Sequence, residues 1–178
     1  MNQINLTEAQ LDRVIYSLWD FQQALSALTF LLEECEYKEK YSRVELRRFK
    51  CFEATAIISF ARPFVTSRGK TTLGLNSLGI QLSKKQKELR DKLIYIRKTI
   101  VAHSDEEEMH FRSHTFDISD FDAKMAHFQF DEGLHLSEAD VWKFVELLHF
   151  LKDGIFKRLF NLAQHQPEML NKYKQPTK

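Results

Sequence analysis

Seven apolar residues spaced alternately three and four apart, Leu11, Val14, Leu18, Phe21, Leu25, Leu28 and Leu32, constrain this chain more than any other feature. Such a seam places one side of a long amphipathic helix in a bundle core, and the alternation of a strand does not produce it. Thr7, with Gln10 three residues on, supplies a capping-box start, so the first helix is predicted from about Thr7 to Glu36. The same signals recur downstream. Ser42 and Glu45 open a second helix that ends near Phe64, with Leu46, Phe49, Ala56, Ile57, Phe60 and Phe64 on its apolar face. Ser83 and Gln86 open a third, running to about His103. Ser137, with Asp140 in the first turn, opens a fourth that carries Val141, Phe144, Val145, Leu148, Leu151, Ile155, Leu159 and Leu162.

The fold class expected is all-α, a bundle of four to five helices. Residues 66–82, rich in Gly, Ser, Thr and Asn, read as a loop. Two alternating stretches, His110–Phe116 and Lys124–Phe130, read as a small β-hairpin inserted before the last long helix. Residues 1–166 are expected to form one domain, and residues 167–178 a polar tail that frays. With only 5 Gly and 3 Pro, the chain has too few turn formers for a sandwich or barrel.

Charge narrows the function classes. The 26 basic and 25 acidic residues nearly cancel, so no global field draws in nucleic acid, and any RNA contact needs a local patch. No secretory leader or membrane-spanning run is visible. A cytoplasmic protein away from membranes is expected, with Cys35 and Cys51 reduced.

The third helix carries charges where they do not belong. On a helical wheel Leu89, Leu93, Ile94, Ile96, Ile100 and Val101 share one side, and Arg90 and Arg97 fall in its middle. A guanidinium there cannot shed its charge and needs a carboxylate, carbonyls or an anionic ligand. Glu53 is the matching oddity, central among Phe49, Ala56, Ile57 and Phe60 on the second helix. A structural ion pair between Glu53 and one of the two arginines is expected, with the other free to bind an anion.

Arg97 and His103, with five residues between them, form an Arg-x5-His motif. This resembles the Arg-x4–6-His motif of the HEPN superfamily, and the run Ile100-Val101-Ala102-His103-Ser104-Asp105 resembles the end of the motif helix in its defence-type members. Ala61-Arg62-Pro63-Phe64 and Ser67-Arg68-Gly69 also resemble segments found in that group. The element order fits the family over roughly residues 7–165. The resemblance implies a HEPN-like bundle, found often in toxin–antitoxin and abortive-infection systems. It also implies metal-independent endoribonuclease chemistry at a dimer interface, with Arg97 and His103 catalytic and RNA as substrate. Arg90 and Ser104 are further candidate binding residues, and a cognate antitoxin protein is a candidate partner. No cofactor and no metal are expected. One departure is Lys98, which stands where the family commonly has Asn or Asp.

Metal-free cleavage of RNA needs a group that moves protons near neutral pH and a cation that holds the phosphate as charge builds; histidine and arginine suit these roles. On a straight helix Arg97 and His103 would lie about 120° apart, so they converge only if the helix ends early or two copies share a cleft. The bland alternative for His103 is a helix-terminal histidine bonded to a carbonyl. Arg158 and His165 also satisfy the motif, toward the polar end of the fourth helix. Two further readings compete: a noncatalytic interaction or dimerisation bundle, and a di-metal carboxylate bundle for which Glu146 and His149 supply one Glu-x-x-His pair.

Overall fold

The computed structural model describes residues 6–66, 71–101, 111–118, 123–130 and 133–173. It holds four helices, α1 (Glu8–Glu34), α2 (Arg43–Ala61), α3 (Lys84–Ile96) and α4 (Glu138–His165), and a hairpin of β1 (Phe111–Ile118) and β2 (Ala123–Phe130). The helix starts agree with their capping signals. Thr7, Ser42 and Ser83 each accept the N3 amide on their hydroxyl, while Gln10, Glu45 and Gln86 reach back to the cap amide. Ser137 caps α4 by accepting from the Asp140 amide.

α1 packs along α2 on one side and against α4 on the other, and α3 lies against α2 and α4. This central place explains a difference from the expected seam. Leu18, Leu25 and Leu32 are only partly buried, whereas Ser17, Asp20, Ala24, Ala27 and Leu31 join Leu11, Val14, Phe21 and Leu28 inside. A helix flanked on two sides buries a wider stripe than a single seam, and small residues admit the second neighbour. Phe60 of α2 stands at the centre, 5.9 Å from the ring of Phe21 and 4.9 Å, edge-on, from Phe144 of α4. These three rings are fully buried and join three helices through aromatic contacts.

The link between α2 and α3 is fastened to α4. Gly79 has φ +67°, and the Arg158 guanidinium lies where its Cβ would project; Arg158 Nε donates to the Leu78 carbonyl. One turn earlier, Gly154 lets Ile80 approach so closely that an added Cβ would meet Ile80 Cδ1 at 2.7 Å. β1 and β2 pair antiparallel with Phe111 opposite Phe130 and Ile118 opposite Ala123. Within the tail expected to fray, Pro167–Tyr173 form a 3-10 helix after α4, and residues 174–178 lie outside the described residues. Among the described residues no helix is long and apolar enough to cross a membrane.

Candidate functional site

The third helix does not continue regularly to His103. Its α-helical hydrogen bonding ends at Ile96, and Arg97–Val101 form a π-helical turn. The Arg97 amide is shared between the carbonyls of Leu93 and Ile94, and Thr99 Oγ1 donates to the Tyr95 carbonyl at 2.9 Å. A hydroxyl bonding back into the preceding turn loosens and bends a helix end, and π turns concentrate at functional sites. The wider turn also changes the direction of every later residue, so the angles of a straight helix no longer relate Arg97 to the positions beyond it.

Arg97 stands where the helix changes form. Its side chain is partly buried, and Nε is fully buried with no hydrogen-bond partner among the described residues. A buried donor without an acceptor costs about 1–3 kcal/mol in a folded protein and calls for an explanation. Lys98 points to solvent, in keeping with the helical wheel. His103 and Ser104 lie outside the described residues, as do the acidic run Asp105–Glu108 and the segment Ser67–Gly69.

The ion pair expected from Glu53 takes another form. Glu53 is buried, and its two oxygens accept backbone amides: Oε1 from Leu136 at 2.8 Å and Oε2 from His135 at 3.1 Å. Burial raises its carboxyl above the ordinary 4.5, and the two amides and the nearby cations Lys50 and Lys92 pull the other way. The carboxylate thus fixes the chain just before the Ser137 cap of α4. Neither arginine is its partner. Arg90 instead holds its neighbour Asp91, with Nε at 2.9 Å and Nη2 at 2.8 Å from Oδ1. α3 is tied to α4 by Lys92 Nζ on Asp140 Oδ2 at 2.8 Å, a contact that holds the Asp140 carboxyl below its ordinary value.

The second motif match is taken up by structure. Arg158 clasps the loop carbonyl of Leu78, and His165 Nδ1 lies 2.9 Å from the carbonyl of Asn161, one turn back in its own helix. Glu146 and His149 both face solvent on α4, and among the described residues no three His, Cys, Asp or Glu side chains gather at metal-binding range.

Two groupings escaped the sequence reading. His114 and His127 are directly opposed across the hairpin. Only the register shows it. The other is a groove along α1 and α2, lined by Trp19, Phe30, Phe52 and Arg62 among others, which helical periodicity alone hides because it joins residues of separate helices, several of them outside the apolar stripes. No protein-family model, curated protein or solved structure matches the chain.

Proposed function

We propose that this chain is a HEPN-like, metal-independent endoribonuclease of the cytoplasm, acting as a homodimer in toxin-related defence. The observation that carries the reading is the Arg97 guanidinium. It is a permanent charge held at a helix irregularity, with a buried donor that no described protein group satisfies. Nε itself is closed to solvent, but the side chain as a whole is only partly buried, and the outer part of a guanidinium is suited to an anion supplied from outside. His103, six positions on in the same motif, provides the proton chemistry.

In the proposed reaction His103 removes the proton from a ribose 2′-hydroxyl, whose oxygen attacks the adjacent phosphorus. The bond to the 5′-oxygen breaks, that oxygen regains a proton, and the products are a 2′,3′-cyclic phosphate and a 5′-hydroxyl. Arg97 holds the non-bridging oxygens while charge accumulates on them.

The test is cleavage of a mixed-sequence RNA in EDTA, with melting measured on the same variants. Arg97→Ala and His103→Ala are each expected to lower the rate by about 100- to 1000-fold, the usual cost of removing an electrostatic stabiliser. Their melting temperatures should stay near that of the parent, because Arg97 does not hold Glu53. No cleavage by the parent protein, or full activity in Arg97→Ala, overturns the proposal.

A noncatalytic interaction bundle is the second reading, favoured by the outer face of α4. There Trp142, Phe156 and Phe160 are 52%, 47% and 65% exposed, in line with Glu146, His149 and Asp153. Large exposed aromatic side chains interspersed with charged ones on one helix face suit a protein partner, a second copy or an antitoxin.

A further inference from the structure

A groove of about 950 Å³ runs along the outer seam of α1 and α2. Its ends are marked by side-chain contacts. At one end Arg62 Nη1 bonds Asp20 Oδ1 at 3.2 Å and Gln23 Oε1 at 3.4 Å. At the other the rings of Phe30 and Phe52 lie 5.8 Å apart. From Gln23 to Phe30 the α1 axis advances roughly 10 Å. Between Gln23 and Phe30 the lining mixes the hydroxyls of Ser26 and Thr55 with the apolar Leu25 and Ala27, and beyond Gln23 it continues to Gln22 and Trp19. Trp19 and Phe30 are 61% and 49% exposed on this face.

The charge of the lining has one sign. Arg62 and Lys152 are its ionic members, and no carboxylate lines it. Asp20, beside it, is committed to Arg62. Both hydrogen bonds of Arg62 leave from Nη1, so the fork edge formed by Nε and Nη2 is left to meet planar oxygens. Aromatic faces, neutral donors and acceptors and a cationic end, within one short span, match a ligand with a flat heterocycle and an anionic group.

We propose that this groove binds a nucleotide unit, with the base against the aromatic lining and the phosphate at Arg62 and Lys152. Free mononucleotides and single-stranded RNA carry the same unit and are the two sources to separate. The site lies on faces of α1 and α2 other than the one Glu53 occupies, and it does not rest on Arg97 chemistry.

The chain has two tryptophans, so Trp142→Phe leaves Trp19 as the sole reporter in the groove. In this background adenosine 5′-monophosphate and a hexamer of 2′-O-methyl riboadenylate, which has no free 2′-hydroxyl to cleave it, are titrated against Trp19 fluorescence, with ribose 5-phosphate as the control lacking a base. Saturable quenching by the nucleotide or the hexamer, and none by the control, is expected. Tighter binding of the hexamer by tenfold or more assigns the groove to a strand; equal affinity assigns it to the free nucleotide. Phe30→Ser and Lys152→Gln, both on the surface, should each weaken binding at least fivefold, while Arg97→Ala leaves it unchanged. Absence of saturation with either ligand, equal response to ribose 5-phosphate, or indifference to both groove variants overturns the inference. Loss of cleavage in Arg97→Ala with quenching intact separates this site from the proposed catalytic one.

Discussion

At the scale of single residues, the two misplaced charges have opposite fates. Glu53 is satisfied, and Arg97 is not. Glu53→Ala removes the acceptor of two amides and should cost about 1–3 kcal/mol for each one left buried, read from urea unfolding midpoints. The pH dependence has a definite sign. Because the folded carboxyl titrates above the ordinary 4.5, the fold favours its protonated form. Its contribution to stability is complete below that value and is lost as pH rises through the raised one. The stability of the parent protein relative to Glu53→Gln should therefore fall as pH climbs from about 4.5 toward neutrality. Arg97→Met, which removes an unpaired donor, should leave stability unchanged or raise it slightly, by up to about 1 kcal/mol. A residue pattern could expose both anomalies, because a charge on an apolar face is visible on a helical wheel. It could not show that the Glu53 partners are backbone amides 82 and 83 residues away, since an amide carries no sequence signature.

Secondary-structure elements show the same division between local and distant causes. The four helix starts were legible to the residue because a cap and its N3 partner lie within one turn, and Ser42→Ala should accordingly cost about 1 kcal/mol. The hairpin was legible from alternation, to within two residues at each strand end. The π turn at Arg97–Val101 was not, because apolar spacing alone does not distinguish it from a continuing α-helix. The fastening of the loop to α4 was also hidden, and it reverses an ordinary expectation. Gly→Ala inside a helix normally stabilises by up to about 1 kcal/mol. Gly154→Ala should instead destabilise, since its Cβ would press on Ile80, and pairing it with Ile80→Val should recover only part of the loss, because valine keeps the Cγ1 that lies 2.8 Å from that Cβ. Gly79→Ala should cost about 1–2 kcal/mol from its left-handed backbone alone. Thermal melting followed by circular dichroism at the helical minimum separates these outcomes.

For the whole molecule, the expected bundle class was legible because each long helix carries its own seam. The neighbours of each helix were not, and α1 proved to be flanked twice. The proposed dimer can be weighed directly: sedimentation at micromolar concentration should give a mass near twice 21.1 kDa. A monomer would remove a cleft shared between copies. Trp142→Glu should dissociate the dimer if the exposed row on α4 forms the contact. One further property comes from how the hairpin is attached. The last described residues before the hairpin, those of the π turn, pack on α2, and after it the amides of His135 and Leu136 are gripped by Glu53 of the same helix. Both footings of the inserted segment therefore stand on one beam. A load carried through the inserted segment would reach α2 at both footings, one of them the turn that holds Arg97.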